Sequence, residues 1–230
     1  MKILALDSSG PNCSVALVEN NNVIANFNLN NGITHSETLV PLVDELFKFA
    51  NTSINEVDAF ACSVGPGSFT GLRIGIATIK GFALSLNKPV ISVPTLLSLA
   101  YNVPAFDGIV CTVLDARNDN VYSALFNIKE KPEMIGDYIT DTIDTLILEL
   151  KKHNSNILFV GDGAVSFRER FEKEFANKAF FMPYHLNLQT AVSVAKSASD
   201  KANLNEYDSV DALHPLYLRK SQAERALEGK

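Results

Sequence analysis

Residues 63–83 read SVGPGSFTGLRIGIATIKGFA. An apolar run at 57–62 leads into them as a short buried strand, and Gly65, Pro66, Gly67 and Gly71 then break the regular pattern. Glycine permits positive φ or close backbone approach, while Pro66 fixes its own φ and removes a donor. A helical run follows to about residue 86. At about 100° per residue, Leu72, Ile76, Ile79, Ala83 and Leu86 form one face suited to a sheet. A second face carries Gly71, Gly75, Thr78, Gly81 and Ser85, nearly all small. Each glycine within a helix costs up to about 1 kcal/mol relative to alanine. A chain that tolerates several gains from letting another backbone come close, either within its own fold or from a second subunit.

The loop ahead of this helix has two readings. A helix N-terminus offers free N–H groups and a positive dipole end to a phosphate. No Lys-Ser or Lys-Thr follows the last glycine, however, and Pro66 stands where a donor would be useful, so neither a P-loop nor a dinucleotide fingerprint is present. A tight strand-to-helix turn feeding a packing helix is the plainer reading.

The whole chain sets further bounds. Its 230 residues can bury a sizeable core, as one large domain or two lobes. A net charge of −6 gives no broad electrostatic grip on a nucleic-acid backbone, so if the protein works on nucleic acid a partner is expected to supply much of the cationic surface. Cys13, Cys62 and Cys111 are far apart in apolar runs and have no metal spacing; they read as buried thiols in a reducing compartment. Only a four-residue apolar run precedes Asp7, which reads as a cytoplasmic protein with neither signal peptide nor membrane span.

From the start, strands are expected at 2–7, 14–19 and 23–30, then a helix over 35–50 with Thr34 and Glu37 as a capping box. Pro41 either kinks that helix or sits in the first turn of a later one. A strand at 57–62, the glycine-rich helix, a strand at 90–93 and a helix at 94–101 complete the order βββαβαβα. The run Val103-Pro104-Ala105-Phe106-Asp107-Gly108 marks a lobe boundary, giving lobes 1–103 and 104–230. The opening pattern then returns: an apolar strand at 109–114 ends in Asp115, a turn follows, and a second strand runs over 121–128. Another strand at 157–160 and helices at 165–175 and 188–202 are expected to complete the second lobe.

Two lobes that each open on strand–Asp–turn–strand describe the actin-like (ASKHA, ribonuclease H-like) α/β architecture, in which such turns face a nucleotide cleft. Asp7 and Asp115 would face it here. Backbone donors reach phosphate most easily through glycine, but Ser8-Ser9 and Ala116-Arg117 follow the two aspartates, so the site reads as degenerate. A strand-end Asp is also an ordinary turn-former, and both readings stand. No two histidines are spaced i, i+4, and Ser68 is not in a Gly-x-Ser-x-Gly elbow.

The stretch at 63–83, with ILALDSS at 3–9, THSETLVPLV at 34–43, LDARNDNVY at 114–122 and PLYLR at 215–219, resembles the TsaB (YeaZ) family. The resemblance implies an actin-like fold and a non-catalytic place beside the transferase TsaD, with the ATPase TsaE as third member, in forming threonylcarbamoyladenosine next to the anticodon of tRNAs. It implies no cofactor on this chain, with ATP or ADP and Mg²⁺ on the partner subunits. The family dimerises through its first two helices, so Leu39, Val43, Gly71, Arg73, Gly75 and Thr78 are expected to face a TsaD partner, or a second copy when the chain is alone. A small-molecule phosphotransferase is the alternative that shares the fold; a metallopeptidase is disfavoured by the unpaired histidines.

Overall fold

Lys2–Asp7 (β1) is apolar almost throughout because both its faces are covered, as in the centre of a mixed sheet. In the computed structural model, which describes residues 1–219, it pairs antiparallel with Cys13–Glu19 (β2) and parallel with Ala59–Gly65 (β4). Asn22–Leu29 (β3) and Val90–Pro94 (β5) close the edges, giving the order β3-β2-β1-β4-β5. The second sheet holds Ile109–Asp115 (β6), Asn120–Ile128 (β7), Pro132–Thr142 (β8), Ile157–Val160 (β9) and Ala179–Phe181 (β10). Its order, β10-β9-β6-β7-β8, is the same topology read from the other edge. The pattern shared by 3–19 and 109–128 is therefore a repeated architecture, with β1 and β6 in the same role.

Helices fill the space around the sheets in three layers. His35–Ala50 (α1) and Phe69–Leu86 (α2) cover the outer face of the first sheet, where Leu39, Leu46, Ile76, Ile79 and Ala83 meet Leu4, Leu6 and Phe60. Ile143–Lys151 (α4), Asp162–Ser166 (α5) and Arg168–Phe175 (α6) cover the outer face of the second sheet. The middle layer crosses over. Thr95–Ala100 (α3) follows the first sheet but places Leu96, Leu99 and Ala100 on Val110, Phe126 and Val160 of the second. Ala191–Asn203 (α7) follows the second sheet but places Ala191, Val194, Ala195 and Ala198 on Ile3, Ala5, Ala61 and Ile91 of the first. Alanine dominates that face of α7, which lets the helix lie close to the strands.

Several expectations are corrected here. The helix read at 188–202 does not complete the second lobe; it belongs to the core of the first, and the chain returns there after 181. Leu213 is in the first core, and Leu216 N–H donates to Val64 O at 2.7 Å, so 215–219 also pack on the first lobe; 220–230 lie outside the described residues. β8, α4 and β10 had no strand or helix assigned to them, and the run at 165–175 is two helices broken at Phe167. Pro41 lies inside α1, exposed, so the missing N–H leaves only a solvent-side gap. Thr34 caps α1 without a side-chain bond to its backbone; the capping box forms at Ser53 and Glu56 instead. α2 is apolar enough over 18 residues to pass for a membrane span by length and composition (mean hydropathy 1.2), yet its apolar face lies on the sheet.

Candidate functional site

The turn after β1, residues 8–12, is where an actin-like cleft would hold phosphate. Protein atoms fill it. A Cβ on Gly67 would lie well under 3.0 Å from the Ser9 carbonyl oxygen, one on Gly71 from the Ser8 carbonyl oxygen, and one on Gly75 from Ser8 Oγ. Ser68 N–H donates to Ser9 O at 2.7 Å, and Ser8 Oγ donates to Gly71 O at 2.9 Å. The small face of α2 thus receives a close neighbour, as the glycines require, but that neighbour is the chain's own turn. On the other side, Gln189 seals the turn. A Cβ on Gly10 would meet its side-chain amide at 2.9 Å, and Asn12 Nδ2 donates to Gln189 O at 2.9 Å.

Asp7, Ser8 and Ser9 are buried as a result, with Asp7 at 0% exposure. Asp7 Oδ1 accepts from Ser9 N–H at 2.9 Å and from Ser9 Oγ at 2.7 Å, while Oδ2 has no partner. Burial pushes the carboxyl above its usual range, against the bonds from Ser9 and the nearby Ser63 hydroxyl. His35 Nε2 lies 2.9 Å from Gly10 O; a carbonyl only accepts, so Nε2 is the donor, and the buried Nδ1 has no hydrogen-bond partner.

Asp115 has the opposite fate. It is exposed, its Oδ1 accepts Arg117 N–H at 2.8 Å, and it closes a turn in which Arg117, Asn118 and Asp119 all have positive φ. Asp162 is beside it, accepting Asp115 N–H at 3.2 Å; burial, then the Asp115 charge, raise its carboxyl. Asp7, Ser8, Ser9 and Asp115 therefore do not line a common open cleft. Three are enclosed and the fourth forms a surface turn.

The expected partner face is also redrawn. Leu39 is 1% exposed and belongs to the core under α1. Val43, at 3%, lines a depression of about 730 Å³ formed by α1 and the connection after it, with Val40, Phe47, Ile54 and Glu56 and with Phe82 from α2. Gly71 and Gly75 are turned onto Ser8, so neither glycine presents a free side to a partner helix. Thr78 is half-buried on the flank, its hydroxyl donating to Ile74 O at 2.8 Å. The exposed faces of the two helices carry Val40, Ala77, Gly81 and Leu84, with Leu84 67% exposed. Gly81 has nothing within 4 Å of a Cβ position, so its helix-destabilising cost has no compensation inside the chain.

Arg73 is exposed at the first turns of α2 and holds the returning C-terminal segment. Its Nε donates to Tyr217 Oη at 2.9 Å, its guanidinium lies 4.1 Å from the Phe69 ring centre, and Phe69 stacks on Tyr217 at 4.4 Å. Phe69, Arg73 and Tyr217 lie in two of the stretches that carry the resemblance, but nothing in one dimension joins those stretches, and Gln189 lies in none of them. The described residues contain no group of three or more His, Cys, Asp or Glu able to hold a metal ion.

Solved structures share this arrangement. The ROK hexokinase of Thermus thermophilus superposes with a TM-score of 0.53 over 88% of this chain and 99% of that one, at 9% identity, which places the fold in the actin-like two-lobe class. YeaZ from Pseudomonas aeruginosa matches far better: TM-score 0.82 at 27% identity, over 94% of this chain and 99% of that one. The family profile described as "TsaD: tRNA N6-adenosine threonylcarbamoyltransferase" matches residues 23–227. The Bacillus subtilis tRNA threonylcarbamoyladenosine biosynthesis protein TsaB is 31% identical over 97% of this chain and 96% of its own length. The chain belongs to the TsaB (YeaZ) family, which the TsaD profile also covers.

Proposed function

We propose that this chain serves tRNA threonylcarbamoyladenosine biosynthesis as a non-catalytic partner. It binds the transferase TsaD through the exposed faces of α1 and α2, joins TsaE in a larger complex, and pairs with itself through the same faces when alone. ATP or ADP and Mg²⁺ belong to the partner subunits, and with a net charge of −6 contact with tRNA is indirect or weak. The names of the relatives support the pathway. The observation that carries the non-catalytic role is the filled turn: Gly67, Gly71 and Gly75 bring α2 onto Ser8 and Ser9, where a phosphotransferase needs space and free donors. A phosphotransferase is therefore disfavoured.

The partner face is supported by exposed apolar and small side chains along two adjacent helices, beside a depression of mixed polar and apolar lining. Reconstitution tests the whole reading. The chain is mixed with TsaD, TsaE, ATP, the threonylcarbamoyl precursor and tRNA, and modified adenosine is measured with and without it. Loss on omission, and equal loss with Leu84→Glu, is expected. Turnover of ATP onto a small hydroxyl or carboxylate acceptor by the isolated chain would overturn the non-catalytic role.

A further inference from the structure

Segment 186–191 runs between the lobes and is bound by side chains and turns of both. On the second lobe, Asn187 bonds twice to one residue: Gly161 N–H donates to its Oδ1 at 2.8 Å, and its Nδ2 donates to Gly161 O at 3.0 Å. Gly161 sits in the turn after β9, where a Cβ would clash with the Val113 carbonyl near the end of β6. On the first lobe, Asn12 Nδ2 donates to Gln189 O at 2.9 Å, and Ala191 N–H donates to Ser14 Oγ at 2.7 Å. From the connection after α3, Asn102 Nδ2 donates to Leu186 O at 3.0 Å and Leu188 O at 2.9 Å, and its Oδ1 accepts from Ser193 Oγ. Asn187 and Gln189 are 4% and 1% exposed.

We propose that segment 186–191 is a built-in clamp that fixes the two sheets in one relative orientation without any ligand, with Gln189 seated on the β1–β2 turn as an internal plug. The start of β2 with the turn before it, and the turn after β9, are each held by this one segment, through Asn12 and Ser14 on one side and through Gly161 on the other. α7 continues from the clamp onto the first sheet, while α3 lies on the second, so opening the lobes would break the middle layer along with these bonds. The inference goes beyond the partner role and does not depend on it: a clamped chain would be equally rigid whatever it binds.

Hydrogen exchange on the full chain tests it, with and without Mg-ATP as the probe. Asn187→Ala touches only the second lobe directly. If the clamp couples the lobes, the variant raises exchange at 161–163 and also at 8–14 on the first lobe, on the order of tenfold for two lost bonds. Mg-ATP leaves wild-type exchange at both turns unchanged. A rise confined to 161–163 and 187, or added protection of 8–14 by Mg-ATP, overturns the proposal. Should Asn187→Ala fail to fold, Asn12→Ala gives the mirror test: exchange must rise at 161–163, across the molecule from the mutation, and no change there counts against the clamp.

Discussion

The carbonyl oxygen of Ser8 rests against Gly71 so closely that a Cβ at Gly71 would lie well under 3.0 Å from it. The first turn of the chain and the N-terminal half of its glycine-rich helix are thereby one packed unit, and Gly81, with open space around it, lies outside that unit.

Alanine at these two positions should act in opposite directions. Gly71→Ala forces a methyl group onto a backbone oxygen and is expected to destabilise by about 1–3 kcal/mol. Gly81→Ala meets nothing and should gain about 0.5–1 kcal/mol from helix propensity. Thermal unfolding followed by circular dichroism separates them. Equal and small shifts would mean that the turn does not pack on α2. Gly75→Leu belongs with Gly71→Ala: it would disrupt folding through Ser8 Oγ, and so cannot serve as a clean probe of partner binding.

Leu84→Glu places a charge on the exposed face of α2 without touching the core. Stability should change by no more than about 0.5 kcal/mol, as for ordinary surface substitutions. Co-elution with TsaD and self-association should both be lost. A variant that still co-elutes would remove this face from the interface.

Asp7→Asn keeps the shape and still accepts the two bonds from Ser9. Because burial raises the Asp7 pKa in the folded state, the folded chain disfavours its charged form. Its contribution is fully present below the ordinary value of 3.8 and is lost as pH rises from there through the raised folded value. Asn does not titrate, so the variant should melt higher than wild type at neutral pH, with the difference vanishing near pH 4. A lower melting temperature at neutral pH would show that the charge is needed. Support of tRNA modification should be unchanged.

Tyr217→Ala removes the stack on Phe69 and the bond from Arg73. The aromatic contact contributes about 0.5–1.5 kcal/mol beyond its area. Faster limited proteolysis near 213–219 is expected, with little change elsewhere. Unaltered cleavage would show that Leu213 and Leu216 hold the segment unaided.

Burial pushes the Cys111 thiol up to about 12 and the Cys62 thiol higher still, and Cys13 is also raised. With so little thiolate at neutral pH, none of the three should react rapidly with a disulfide reagent in the native chain, and all three should react once it is unfolded. A fast native thiol would contradict the packing of β1, β2, β4 and β6.

The elements of the first lobe were legible because its strands and helices carry clear periods: the apolar run of β1, the 3.6-residue stripes of α1 and α2, and the Asn20-Asn21-Asn22 turn. The second lobe was less so. β8 mixes Glu133, Asp137 and Asp141 into an edge strand with little burial, and β10 has three residues, so neither shows alternation strong enough to identify it. The pattern around 188–202 was visible as a helix, but periodicity says only that one face is apolar and not which sheet that face meets.

Sequence alone therefore determined that two strand–Asp–turn–strand units exist, that a helix with an apolar face and a face of small residues follows the fourth strand, and that the chain resembles the TsaB family. Only the tertiary structure decided what the small face of that helix touches. Gly71 and Gly75 meet Ser8, while Gly81 meets nothing. All three are spelled alike in one dimension. They differ because close approach depends on where the turn after β1 is carried by its pairing with β2 and β4, a relation among residues far apart in the chain.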